Sequence, residues 1–313
     1  MTARVVLFAY HTLGVRCLEV LLALGAEVLL VVTHPDDPAE PRWFASVAEA
    51  ARARGLPVIA PPSPNTPELA AHLRALAPEY FVSVMYRRLL APELLAIPRR
   101  AAVNLHPSLL PRYRGRAPIN WALVHGETET GVTLHHMVAE ADAGDIIGQE
   151  PVAIAPEDTA LDLYRKVEAV GPALLARLWP ALVAGRAPRW PQDHARATSF
   201  GRRRPEDGRV AWGWPASRIV NMIRAVTHPF PGAFVGDGPA RLSLWSGRAV
   251  STPERAGPGT LLEIRPGQGV VVAAGEGAVL LARVQASGGP EMPADVWAIA
   301  AGLRPGQRMP GAP

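Results

Sequence analysis

Asn104 and His106 stand two residues apart, at the end of an apolar run and just before the turn-rich loop Pro107-Ser108-Leu109-Leu110-Pro111. In an extended chain side chains alternate faces, so residues two apart project to the same side. One spot then holds an amide that donates hydrogen bonds and an imidazole that carries a proton. Asp142 follows in the turn-prone segment Ala141-Asp142-Ala143-Gly144-Asp145, which is able to return a carboxylate to the same place. The three types together suit acyl transfer: a donor for a negative oxygen, an acid/base, and a group that orients and charges the base. An unperturbed imidazole titrates near ~6.5 and so takes and gives protons at neutral pH. A neighbouring carboxylate raises that value and fixes the ring. The same residues also fit loop and core polar groups, and an Asn-x-His pair arises readily by chance. Taken alone, the triple leaves both possibilities open.

The surrounding pattern predicts what would position it. From residue 3 to about 150, short β-rich runs alternate with helical ones. Residues 4–8 predict a buried strand, and a helix follows from Gly14 to about Ala23. Further strands are expected at 28–33, 57–60, 80–86, 101–106, 131–138 and 145–154. Helices are expected at 43–54 and at 67–77, the second with Pro67 near its start. Strand–helix–strand repetition implies a mostly parallel sheet covered on both faces, with ligands bound beyond the carboxyl ends of its strands. Asn104 and His106 end one such strand. No G-x-G-x-x-G or P-loop pattern occurs, so a dinucleotide or nucleoside-triphosphate cradle is not supported. Residues 159–185 predict a long helix that Pro172 should kink or split, and 187–191 a linker. Beyond it, short strands at 210–212, 241–245, 259–264, 270–274 and 279–284, with a helix at 216–226, make a small β-rich domain. The expected division is a catalytic domain over 1–190 and a second domain over 200–305.

Composition removes several classes. Of 313 residues, 49% are hydrophobic and 19% charged, which is globular rather than disordered. The formal charge of +4 comes from arginine, since Lys166 is the only lysine; no clustered basic face points to nucleic acid. The single cysteine, Cys17, lies in an apolar helical repeat with Val15, Leu18, Leu21 and Leu22. That reads as core, not as a nucleophile or a disulfide partner, and fits a reducing compartment. No apolar stretch reaches the ~18 residues of a membrane span, and the N-terminus shows no cleavage pattern. The expected setting is the cytoplasm, away from the membrane. His34, Asp36 and Asp37 imitate a metal cluster but fall in a loop. Arg202-Arg203-Arg204 suits a diphosphate or, as preferred here, a solvated linker face. His135 and His136 are adjacent in a strand, so only one of them can face a site.

The ordered set Asn104-x-His106-x-Ser108-Leu109-Leu110-Pro111, Arg114-Gly115-x-x-Pro118, Gly126, Gly131-x-Thr133 and Asp142-x-Gly144 resembles the signature of the folate-dependent formyltransferases. The resemblance runs from Phe8-Ala9-Tyr10-His11 nearly to the C-terminus. Its detail, with Phe200-Gly201-Arg202-Arg203 and Asn221-Met222-Ile223-Arg224 downstream, is most similar to one branch. That branch is the formyltransferase part of the bifunctional, polymyxin-resistance enzyme that modifies UDP-4-amino-4-deoxy-L-arabinose. The resemblance implies an α/β fold: a Rossmann-like formyltransferase domain with a mostly parallel sheet, then a small OB-like β domain. It implies N10-formyltetrahydrofolate as co-substrate and no metal. It places the oxyanion donor on Asn104, the acid/base on His106 and its orienting carboxylate on Asp142. Folate contacts are implied for Arg116, for Arg88, Leu89 and Leu90, and for the backbone of Val138, Ala139, Glu140, Ala141 and Asp142. Ser108 and Pro111 are expected to shape the loop.

The acceptor amine is less determined. The first expectation is a small-molecule sugar nucleotide, formylated at its 4-amino group, with UDP-4-amino-4-deoxy-L-arabinose foremost. The alternative is methionyl-tRNA, whose formyltransferase resembles this chain but carries a basic insertion after its second strand. Here the stretch 33–42, Thr-His-Pro-Asp-Asp-Pro-Ala-Glu-Pro-Arg, is short and acidic, which suits RNA phosphates poorly. No nucleic-acid partner is therefore expected. A non-catalytic folate or nucleotide sensor would not need the triad. A formylfolate hydrolase would be expected to carry a preceding regulatory domain, yet the first strand starts at residue 4. The relative's dehydrogenase-decarboxylase half has no room here, so a stand-alone formyltransferase or one of a separated pair is expected. The sequence does not specify an oligomeric state.

Overall fold

A computed structural model describes residues 2–35, 42–252 and 256–312. The chain divides into two compact units. The first comprises Met1–Pro118, Glu129–Ala153 and Tyr164–Gly201, and the second Ile119–Thr128, Ile154–Leu163 and Arg202–Pro313. The division is thus not one cut near residue 190: two short excursions, 119–128 and 154–163, group with the C-terminal residues.

The elements in chain order up to residue 200 are β1 (Arg4–Ala9), α1 (His11–Ala23), β2 (Glu27–Val32), α2 (Val47–Arg52), β3 (Val58–Ile59), α3 (Pro67–Leu76), β4 (Tyr80–Val84), α4 (Pro92–Leu95), β5 (Ala101–His106), β6 (Arg114–Gly115), α5 (Pro118–Val124), β7 (Glu129–His136), β8 (Ile146–Ala153), α6 (Ala160–Val183) and β9 (Ser199–Phe200). The main sheet runs β3-β2-β1-β4-β5-β7-β8. Its first five strands are parallel, and β7 runs antiparallel to both neighbours. Five of the six residues of β1 are buried, as a strand covered on both faces requires. On one face Val6, Phe8, Leu30, Val32 and Phe81 pack with Leu69 and Leu73 of α3. On the other, Gly171 of α6 approaches so closely that a Cβ there would lie 2.9 Å from Leu13 of α1 and 3.2 Å from Leu105 of β5. The strand order reverses direction beside β1, so the carboxyl ends of β1 and β4 flank the crevice where such sheets bind ligands.

Three local departures from the sequence pattern have physical causes. The helix expected from residue 43 begins at Val47, because Ser46 caps it by accepting the Glu49 N–H at 3.3 Å; Trp43 and Phe44 instead pack edge-on and face-on against His11. Pro172 neither splits α6 nor leaves its turn unsatisfied. Proline lacks the N–H that would bond the carbonyl four residues back, and Arg16 supplies that bond to the Glu168 carbonyl at 3.1 Å. The stretch 187–191 is not a free linker: Trp190 exchanges backbone hydrogen bonds with Ile146 at 2.8 and 2.9 Å.

The second unit is the expected antiparallel β-rich domain. It continues with α7 (Ala216–Val226), β10 (Ala233–Val235), β11 (Leu242–Val250), β12 (Leu261–Arg265), β13 (Gly269–Ala273), β14 (Ala278–Ala286), β15 (Glu291–Pro293) and α8 (Ala294–Ala300). The sheet order is β10-β11-β14-β13-β12, with β15 on β14. Register shifts in β11 bend the path. Residues 210–212 form no strand; Trp212 is buried and donates its indole N–H to the Pro310 carbonyl. Arg203 is not a solvated linker residue, since its guanidinium lies 4.5 Å from the Trp121 ring centroid and bonds the Asp207 carbonyl. No helix among the described residues is long and apolar enough to cross a membrane.

Candidate active site

β5 delivers Asn104 and His106 at its carboxyl end, and the β7–β8 loop brings Asp142 to them. Asn104 Nδ2 donates to Asp142 Oδ1 at 3.2 Å, and His106 Nδ1 lies 3.6 Å from the same oxygen. The second carboxylate oxygen, Oδ2, accepts the Gly115 N–H at 2.8 Å. Asp142 holds this position with φ +53°, a left-handed conformation that costs a non-glycine residue roughly 1–2 kcal/mol. Gly144 is needed two residues on, because a Cβ there would sit 2.0 Å from the His136 carbonyl oxygen.

A fourth side chain completes the cluster. In the antiparallel register Asn104 faces His135. The His135 Nε2 lies 3.2 Å from Asn104 Nδ2 and 3.5 Å from Asp142 Oδ1, while Nδ1–H donates to the His136 carbonyl at 2.8 Å. Strand alternation allowed one of His135 and His136 to face a site; cross-strand pairing with Asn104 selects His135. Only the strand register, which the sequence does not carry, decides between them.

The tautomer of His106 follows from its partners. Nε2 is 2.8 Å from the Tyr113 carbonyl, which only accepts, so Nε2 carries a hydrogen. In the neutral ring Nδ1 is then the nitrogen without a hydrogen, and it faces the Asp142 carboxylate. Burial pushes the His106 pKa down; the Asp142 charge and the Tyr113 carbonyl push it up, His135 pushes it down, and the balance stays below the ordinary value. Asp142 alone would raise it, as its position suggests, but desolvation wins. For Asp142 itself burial opposes ionisation. The charge of His106, the hydrogen bond and charge of His135, and the Gly115 N–H outweigh it and hold the carboxyl well below the usual carboxylate range. At neutral pH the site therefore holds a carboxylate beside an unprotonated imidazole nitrogen. That is a base ready to accept a proton onto Nδ1, with an anion in place to stabilise the cation.

The remaining candidates divide. Arg116 is exposed and its Nη1 donates to the Arg87 carbonyl at 2.7 Å, tying the β6 turn to the segment after β4. Arg88 and Leu89 are exposed, whereas Leu90 is 4% exposed and belongs to the core; only its backbone is left for a ligand. Val138, Ala139 and Glu140 are exposed, Ala141 is half-buried. Ser108 donates to the Arg112 carbonyl at 2.7 Å and shapes its loop. His34 accepts the Arg87 N–H at 2.9 Å and stacks on Tyr86; Asp36 and Asp37, and most of the acidic stretch, lie outside the described residues. No group of metal-ligating side chains occurs among the described residues. Burial, helped by Arg87, Arg88 and Arg116, lowers His34 to about 4. Burial, Arg87 and His34 lower His11 to about 3. The rim at the carboxyl ends of β1, β2 and β4 is thus made positive by arginines beside neutral histidines, which suits an anionic ligand.

A family model for formyl transferases matches residues 17–178, and the model for the formyl transferase C-terminal domain matches 203–302. The chain belongs to the formyl transferase family. Several solved structures share its fold. The N-formyltransferase from Helicobacter canadensis, in complex with folinic acid and dTDP-3-aminofucose, is 20% identical, with a TM-score of 0.71 over 90% of this chain and 99% of that one. WlaRD, a sugar 3N-formyl transferase with dTDP and 5-N-formyl-THF, is 18% identical, with a TM-score of 0.68 over 90% and 97%. HypX from Aquifex aeolicus, with tetrahydrofolic acid, is 19% identical, with a TM-score of 0.62 over 95% of this chain. The present chain spans about half the length of HypX, 47%.

Proposed function

We propose that this formyl transferase moves a formyl group from N10-formyltetrahydrofolate to the 4-amino group of a nucleotide-linked amino sugar, UDP-4-amino-4-deoxy-L-arabinose being the first choice. The observation that carries the proposal is the convergence of Asn104, His106 and Asp142 at the carboxyl end of β5. Coverage of the H. canadensis and WlaRD chains almost from end to end, with a folate and a nucleotide or nucleotide sugar in their structures, supports the substrate class. The positive rim of Arg87, Arg88 and Arg116 suits two anionic co-substrates. The resemblance to the arabinose-modifying branch supports the sugar.

In the proposed reaction the acceptor amine attacks the formyl carbon, and the carbonyl oxygen becomes an anion. An Asn104 N–H turns to that oxygen; both N–H groups of the free enzyme are held by long contacts, 3.2 Å to Asp142 and 3.2 Å to His135, which an oxyanion outcompetes. His106 Nδ1 takes a proton from the attacking nitrogen, and Asp142 stabilises the imidazolium. The carbon–N10 bond then breaks, the proton passes from His106 to N10, and a formamide and tetrahydrofolate leave. Arg116, with the backbone at Arg88, Leu89 and Leu90 and at Val138 through Asp142, is proposed to hold the folate.

The test offers the purified protein N10-formyltetrahydrofolate with a panel of 4-amino and 3-amino sugar nucleotides and, separately, methionyl initiator tRNA, with products read by mass spectrometry. A mass gain of one formyl group on UDP-4-amino-4-deoxy-L-arabinose is expected. Product on another amino sugar alone would move the acceptor, and product on tRNA alone would overturn the sugar assignment.

A further inference from the structure

Asp142 works from a left-handed backbone, and something outside its loop must hold it there. Gln192 does so. It is 5% exposed, and its side-chain amide nitrogen donates to two carbonyls of the loop, Asp142 at 2.8 Å and Gly144 at 2.7 Å. Its amide oxygen accepts two bonds from Arg114, Nε at 3.1 Å and Nη2 at 2.7 Å. A primary amide has two donors and two acceptor positions, and here all four are used. Arg114 is itself 3% exposed, reaches Glu140 at the loop's start and His194, and sits next to Gly115, whose N–H holds the Asp142 carboxylate. One buried strut therefore grips the loop by its main chain, while the adjoining residue grips it by its side chain.

We infer that Gln192, braced by Arg114, is the positioning residue that sets the distance between Asp142 and His106. Gln192 lies beyond the residues 17–178 that the first family model matches and directly after the stretch 187–191 whose sequence reads as linker. It touches neither reacting atoms nor the triad side chains, and acts through the Asp142 backbone. Neither glutamate nor alanine fills the role: glutamate would keep the pairing with Arg114 but set an anion against two carbonyl oxygens, and alanine would take from those carbonyls and from Arg114 Nε the buried partner that Gln192 supplies.

The inference rests on the proposed site chemistry, so its test has one readout that needs no substrate. In histidine-labelled protein, long-range 1H–15N spectra follow the titration of His106 in the wild type, Gln192→Ala and Gln192→Glu. Moving the carboxylate away removes the charge that supports the protonated ring, so the His106 midpoint should fall in both variants. In formyl transfer from N10-formyltetrahydrofolate to UDP-4-amino-4-deoxy-L-arabinose, kcat should drop about 10- to 100-fold, with both KM values within about threefold. The acid limb of the kcat profile should move to lower pH, a change that mere loss of folded enzyme does not produce. Unchanged His106 titration in the folded Gln192→Glu protein overturns the inference, as does a kcat loss with an unshifted profile. Asp142→Ala, run alongside, separates the two claims: if it keeps full turnover, the proposed chemistry fails; if it is inactive while the Gln192 variants match the wild type, the positioning role alone fails.

Discussion

His106 and Asp142 carry opposite risks on burial, and the structure resolves them in opposite directions. The carboxylate is over-stabilised by its neighbours, while the imidazole stays short of its ordinary pKa because burial outweighs its one anionic neighbour. Asn104→Ala, His106→Ala and Asp142→Ala are each expected to lower kcat by about 10²–10³, with urea midpoints showing that the proteins remain folded. Asp142→Asn removes the charge that raises His106, so the acid limb of its residual activity should move to lower pH, not higher. Stability follows the same signs. Asp142, with a depressed folded pKa, contributes stability above the ordinary carboxylate range and loses it only as the pH falls through its folded value. The buried histidines act earlier: their unfolded forms bind protons below ~6.5 while the folded forms resist. His11, lowered to about 3, should thus cost stability progressively from pH ~6.5 towards 3. In His11→Asn, which tolerates the observed φ of +63°, urea unfolding at pH 7.5 and 4.5 should show a loss smaller by about 1–2 kcal/mol.

Among the elements, α6 shows how one side chain lets a helix pass through a proline. Arg16→Met should strip the Glu168 carbonyl of its partner and lower stability by about 1–2 kcal/mol in urea unfolding, leaving folate affinity unchanged. Gly144→Ala should instead displace the β7–β8 loop, because its methyl group would overlap the His136 carbonyl. A rise in the KM for formylfolate and a fall in kcat are expected together. These two elements also show what was legible in the sequence and why. Strands such as Arg4–Ala9 were readable because burial on both faces gives a continuous apolar run from Val5, and α7 because its apolar stripe keeps helical spacing. The continuity of α6 was not readable, since the group that rescues it lies on α1. The meeting of Asn104, His106 and Asp142 was readable because the three sit in one ordered motif. His135 and Gln192 were not: the first depends on the register between β5 and β7, the second on a hydrogen bond spanning 50 residues.

For the molecule, the order of the main sheet matters most. Placing β1 and β4 together at the reversal of strand order sets Arg87 and His11 beside one another, 3.2 Å apart at Nη2 and Nε2, at its carboxyl edge. Because β7 is antiparallel to β5, with His136 opposite Val103 and Thr133 opposite His106, the loop leaving β7 starts towards the amino end of β5 and folds back to set Asp142 against Asn104 and His106. The formyl transferase family assignment rests on both units, matched by separate family models, while the chemistry described lies within the first. The most direct measurement compares wild type and His106→Ala under the same conditions. Each receives N10-formyltetrahydrofolate and UDP-4-amino-4-deoxy-L-arabinose, and formylated sugar nucleotide is quantified over time. Steady product from the wild type and a loss of at least about 100-fold in the variant are predicted. Equal rates from the two proteins would contradict the mechanism at its centre.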